Sequence, residues 1–151
     1  MDYERMKRQA NDILLSQSAE CTYIEYKASS KQFDKILKTL CAYGNNYYDN
    51  DIQYIFVGVE EINDENNKAI PKLPIKGIEE GKLEKCKNEI NSLRSFLYPN
   101  VAFDIITNQL DGTFYLLIVG RCVRTEYYTI LVRAWIRICL YRKTERDYRR
   151  W

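Results

Sequence analysis

The dipeptide Asp111-Gly112 stands between two apolar runs rich in β-formers, VAFDIITNQL and TFYLLIVGRC. Asp-Gly accepts the positive φ values of a tight two-residue turn, so the two runs are committed to pair as neighbouring antiparallel strands. Whatever this chain folds into is built around that hairpin. A third run, IQYIFVGV at 52–59, is short, strongly apolar and rich in β-formers, which marks it as the central strand.

The segments around these runs alternate in period. Residues 3–17 read as a mostly polar helix with Met6, Ile13 and Leu14 as its thin apolar stripe. Residues 21–27 (CTYIEYK) alternate as a half-buried strand, with Ile24 and Tyr26 on one side and Tyr23, Glu25 and Lys27 on the other. Phe33, Ile36, Leu37, Leu40 and Cys41 follow the spacing of an amphipathic helix, which Gly44-Asn45-Asn46 ends. A polar loop follows the central strand, through Asn63–Asn67, Pro71 and Pro74. Leu83, Cys86, Ile90, Leu93 and Leu97 predict another helix over 79–97, with Pro99 just beyond it. TILVRAWIRICLY supplies one more strand. The expected fold is therefore α+β: a single domain over 1–151, with three helices and a mixed or antiparallel sheet of about five to six strands. At 151 residues the chain is long enough to bury its own core.

Histidine is absent. That excludes Ser-His-Asp and Cys-His nucleophiles and every zinc site built on imidazole, and leaves carboxylates, lysine, tyrosine or an oxygen-held metal to carry any catalysis. The five cysteines are odd in number and widely spaced, without a CxxC pair, so neither a disulfide framework nor a zinc ribbon is indicated. Reduced thiols, a charged N-terminus (MDYERMKRQAND) and the lack of a long apolar run point to a cytoplasmic protein without a membrane association. Neither GxGxxG nor GxxxxGK[ST] occurs, so no phosphate-binding loop of those types is expected.

The net charge of +2 hides an asymmetry. Residues 121–151 carry nine basic and three acidic side chains, the preceding 120 residues fourteen and eighteen. A basic, tyrosine-containing end with Arg142, Arg146, Arg149 and Arg150 suits a phosphate-binding surface; a solvated face is the plain alternative. On the carboxylate side, Glu20 and Glu25 stand five apart before Lys27, and Glu60-Glu61 follow the strand ending Val57-Gly58-Val59. If neighbouring strands bring them together, Glu20, Glu25 and Glu60 can share Mg²⁺ or Mn²⁺, with Lys27 in support. An odd spacing puts Glu20 and Glu25 on opposite faces of a continuous strand, so Glu20 joins only from before the strand or beyond a bulge. The alternative is a simple ion pair of Glu25 with Lys27, Glu20 flanking an element.

Taken in order, these segments resemble the Schlafen-type, Alba-like domain family, whose bacterial members are described as DNA-binding. Glu20-Cys-Thr-Tyr-Ile-Glu25-Tyr-Lys27 resembles the family's E-x4-E-[FY]-K opening, and Leu40-Cys-Ala-Tyr-Gly-Asn45 its helix ending. Tyr54-Ile-Phe-Val-Gly58-Val59-Glu60-Glu61 is similar to its strand ending G-V-[DE]-[DE], Pro74-Ile-Lys-Gly77-Ile78 to its P-x-x-G-[IV], and Tyr98-Pro99-Asn100 to the proline after the third helix. Tyr115–Val119 corresponds to a later apolar strand, so the resemblance covers about 12–122. It implies a bacterial nucleic-acid-binding module, regulatory in transcription, with a homodimer allowed and no cofactor needed for binding. The residues themselves offer phosphate contacts from Lys27, Lys31, Lys35 and the tail arginines Arg142, Arg146, Arg149 and Arg150, with Asn45 nearby, to DNA or structured RNA. The resemblance also implies an alternative, since animal Schlafen proteins cleave structured RNA with three carboxylates. Carried over, these are Glu20, Glu25 and Glu60, with Glu61 as alternate for the third, making a Mg²⁺- or Mn²⁺-dependent endoribonuclease. A third reading is a protein-interaction module working through its sheet edge. Ala134-Trp135-Ile136-Arg137-Ile138 resembles the family's aromatic-Ile-Arg strand, whereas Cys139–Trp151 matches nothing in it and is either a basic arm or an altered end.

Overall fold

The computed structural model describes residues 2–44, 52–98, 102–120, 129–132 and 135–138. Asp2 opens the first element: its carboxylate accepts the Arg5 N–H at 3.0 Å and caps helix α1 (Tyr3–Leu15). Met6, Ala10 and Leu14, spaced by four, form its buried stripe. After α1 come β1 (Ile24–Lys27), α2 (Phe33–Gly44), β2 (Gln53–Val57), β3 (Glu61–Asn63) and β4 (Ala69–Pro71). Next are α3 (Leu83–Ser92), β5 (Leu97–Tyr98), β6 (Phe103–Leu110), β7 (Thr113–Gly120), β8 (Thr129–Val132) and β9 (Trp135–Ile138). The architecture is α+β.

The main sheet runs β1-β2-β7-β6. β1 and β2 are parallel, joined through α2, while β2–β7 and β7–β6 are antiparallel. The β6–β7 hairpin turns on Asp111 (φ 50°) and Gly112 (φ 80°), the two positive φ values of a type I′ turn. Period-2 alternation splits the core between the two faces. Ile55, Val57, Leu116 and Ile118 pack with α2 and α3; Tyr54, Phe56, Tyr115, Leu117 and Val119 pack with α1. Each fully buried Leu, Ile or Phe contributes on the order of 1.5–3 kcal/mol.

Several elements differ from the sequence reading. The strand expected at 21–27 begins only at Ile24, and all four of its residues are buried, Glu25 and Lys27 included. The supposed loop after the central strand contains an antiparallel ribbon, β3–β4, in register Glu61↔Pro71 to Asn63↔Ala69. The helix expected over 79–97 is α only from Leu83 to Ser92, with 3-10 turns at Glu80–Lys82 and Leu93–Phe96, and Leu97 starts a strand. The last predicted strand is two, β8 and β9, which pair with each other, and β8 also pairs with β5, in a separate three-stranded sheet. Among the described residues no helix is long and apolar enough to cross a membrane.

Candidate functional site

Glu20 lies before β1, in the segment that doubles back along that strand's open edge. Its N–H is donated to the Ala69 carbonyl of β4 at 2.8 Å, and its Oε1 accepts the Tyr26 N–H at 3.0 Å. One residue on, the Cys21 N–H is donated to the Ile24 carbonyl at 3.1 Å. In a parallel pair, alternate residues of the edge strand aim their backbone groups away from the partner. Tyr26 and Ile24 are those residues, and Glu20 and Cys21 satisfy them.

This placement answers the spacing objection, because Glu20 reaches Glu25's surroundings from outside the strand. The Glu20 carboxyl is pushed up to about 7, first by burial, then by a hydrogen bond shared with the Glu61 carboxyl, and further by the nearby charges of Glu25 and Glu61. The Tyr26 N–H works in the opposite direction. The Glu20 and Glu61 carboxyls thus adjoin, and Glu20 keeps its proton to a higher pH than an ordinary glutamate.

The structure brings Glu20 together with Glu61. Glu60 points elsewhere, 3.7 Å from the Lys72 ammonium and 3.8 Å from that of Lys76, at a half-exposed position. Glu25 is 3% exposed and forms a buried ion pair with Lys27, itself 7% exposed. Lys27 is thus an internal counter-ion and has no surface from which to meet a phosphate. Among the described residues no three acidic or cysteine side chains gather as a metal site. The residues as they stand do not fit a Mg²⁺ or Mn²⁺ ion held by three carboxylates, since a buried ammonium already neutralises Glu25. Lys31 and Lys35 are both exposed, before and within the first turn of α2. Asn45, Arg142, Arg146, Arg149 and Arg150 lie outside the described residues.

Between α1 and the first two strands lies a groove of about 830 Å³, lined in part by Gln9, Asp12, Tyr23 and Tyr54. Sequence reasoning missed it. Gln9 and Asp12 read there as ordinary solvated positions of a polar helix, and only the docking of α1 onto the sheet makes them a wall.

A model of the family described as Schlafen, AlbA_2 matches residues 20–142. No curated protein matches the chain. Among solved structures, the N-terminal domain of a RecG-related protein from Nitrosomonas europaea is similar at TM-score 0.59 and 18% identity, over 78% of this chain and 73% of that one. The DIP2311 protein from Corynebacterium diphtheriae is 15% identical at TM-score 0.44, over 91% of this chain and 31% of that one, so this chain spans about a third of it. What the RecG-related domain shares with this chain is the fold. The family match starts at Glu20, the residue that closes the sheet edge, and runs past the last described strand; the chain belongs to the Schlafen, AlbA_2 family.

Proposed function

We propose that this chain is a nucleic-acid-binding module, held to its partner mainly through phosphate contacts. The observation that carries the reading is the family match over residues 20–142, which takes in α2 with its exposed lysines and reaches into the arginine-rich region. Lys31 and Lys35 supply mobile ammonium groups at the surface; the tail arginines extend the same chemistry along the sequence. Contacts of this kind release counter-ions, so affinity for DNA or RNA falls steeply as salt rises. Gel shifts with single- and double-stranded DNA and RNA across a salt series test the reading. A flat salt response, or no shift at low salt, overturns it. Replacing Lys31 and Lys35 by alanine should weaken binding alike on all sequences and reduce the salt slope by about 1–2.

An endoribonuclease is the second reading, favoured by one observation, the adjoining carboxyls of Glu20 and Glu61, which do not depend on the three-carboxylate set. Incubating the same RNAs with Mn²⁺ or Mg²⁺ is its test: cleavage lost in Glu20→Gln supports it, and intact RNA under conditions of saturating binding removes it.

A further inference from the structure

The groove between α1 and the sheet carries hydrogen-bonding groups of one pattern. Gln9 and Asp12 are three residues apart on α1 and so share a face. The Tyr54 hydroxyl donates to Gln9 Oε1 at 3.1 Å, which occupies the acceptor end of that amide and leaves its NH₂ as the end that donates. The Asp12 carboxylate is exposed to solvent and, when ionised, only accepts. Across from the helix, Tyr23 is 38% exposed, an amphipathic ring on the same groove, with Ile13 and Ile52 supplying apolar floor.

We propose that this groove takes an unpaired guanine base of a single-stranded nucleic acid, a specificity that rests on the nucleic-acid reading above. The argument is one of complementarity. A carboxylate accepts two parallel N–H groups, and among the bases only guanine offers two neighbouring donors, N1–H and the N2 amino group, on its Watson–Crick edge. The next group along that edge, O6, is an acceptor, and the Gln9 NH₂ is the matching donor. Adenine and cytosine each turn a lone pair toward the position of N1, and uracil and thymine have an oxygen where guanine has its amino group. A carboxylate facing those groups would be left desolvated and unpaired, which is the costly outcome that creates selectivity. Tyr23 offers the ring face on which an extruded base stacks. A duplex hides the Watson–Crick edge, so the groove selects unpaired bases. The negative charge of Asp12 fits this division of labour: a base edge enters the groove, while phosphates lie on the lysines outside it.

The test uses the whole chain and fluorescence anisotropy with thymidine homopolymers carrying one central guanine, inosine, adenine or thymine. Inosine keeps N1–H and O6 and lacks only the N2 amino group. Guanine should bind about tenfold tighter than inosine or adenine. Asp12→Asn should erase that preference while leaving the all-thymidine strand bound as before or more tightly, because a repelling charge is gone. Tyr23→Ala should weaken the guanine strand about tenfold, and Tyr23→Phe should restore it, since stacking needs the ring and not the hydroxyl. Equal, salt-dependent affinity for all four strands would overturn the guanine groove and leave the nucleic-acid reading standing. A guanine preference that survives in Asp12→Asn would place the base elsewhere and also overturn it. No binding to any strand at low salt would overturn the guanine groove, and the same result with duplex DNA and with RNA would overturn the nucleic-acid reading as well.

Discussion

Glu20 accepts the Tyr26 backbone N–H at 3.0 Å, so a side chain from outside the sheet completes its edge strand. The same carboxyl adjoins Glu61 and titrates near 7, against 4.5 for an unperturbed glutamate. Protonation therefore favours the folded chain. The stabilisation is complete below about 4.5 and is lost as pH rises through about 7. Glu20→Gln keeps the acceptor for Tyr26 and gives Glu61 a permanent donor. It should raise the melting temperature by about 2–5 °C near pH 8 and leave it little changed near pH 5. Thermal melts followed by circular dichroism at the two pH values decide it; an equal shift at both would detach Glu20 from the titration.

The buried Glu25–Lys27 pair makes a larger claim on stability. Removing one partner, as in Lys27→Met or Glu25→Gln, leaves the other buried without this counter-charge at a cost of about 3–5 kcal/mol. Replacing both together, Glu25→Leu with Lys27→Met, should recover most of that loss. Urea unfolding of the three variants gives the coupling directly. Losses below about 1 kcal/mol in both single variants would return the pair to the ordinary surface class.

How much of this was legible beforehand depends on what each segment's own pattern encodes. The β6–β7 hairpin was, because Asp111-Gly112 names its turn and both strands alternate. Helix α2 was, because Ile36, Leu37, Leu40 and Cys41 fall on one stripe and all are buried. Charged alternation misled at β1: Glu25 and Lys27 look like an outward face, yet they neutralise each other and can be buried as a pair. The β3–β4 ribbon was hidden for another reason. Its strands are three residues each, too short for alternation to show, and they are fixed partly from outside by the Glu20 N–H on Ala69. Glu60 and Glu61 differ by one position along the chain, which on an extended backbone turns one toward Lys72 and Lys76 and the other toward Glu20. No reading of composition chooses between them.

Gly77 is a second point of rigidity. Its φ is 73°, and a Cβ there would lie 2.2 Å from Thr113 Cγ2 and 2.9 Å from the Phe114 carbonyl oxygen. Gly77→Ala should cost about 2 kcal/mol or more, combining backbone strain with a clash against β7. Gly81→Ala is the control, with nothing within 4 Å of the added methyl, and should stay within about 0.5 kcal/mol. Chemical denaturation of the two variants side by side reads the contrast.

Helix α1 is tied to the hairpin by a polar knot. Asn108 Nδ2 donates to the Tyr115 hydroxyl at 2.7 Å and to the Lys7 carbonyl at 3.0 Å, and the Tyr115 hydroxyl donates to Asn11 Oδ1 at 2.8 Å. Tyr115→Phe removes the bridging oxygen and should cost about 1–3 kcal/mol. Hydrogen exchange should show the loss first in the amides of α1, which is also anchored by the Met6, Ala10 and Leu14 stripe and by the Tyr54–Gln9 hydrogen bond. Uniform loss of protection over the whole chain would mean that the helix and the sheet open as one unit.

The two-sided core has a consequence for how any long, thread-like partner is met. Residues from both sides of β2 and β7 are sealed beneath helices, so the four-stranded sheet has no open table on which bases could be laid out in a row. On the nucleic-acid reading proposed above, a bound strand would meet the described part of the molecule at seams and corners, the cleft beside α1 and the lysines at the start of α2. Contact would then be intermittent, a few nucleotides gripped and the next ones left in water. A footprint along the bound strand should accordingly show short protected stretches separated by reactive gaps, rather than one continuous shielded block.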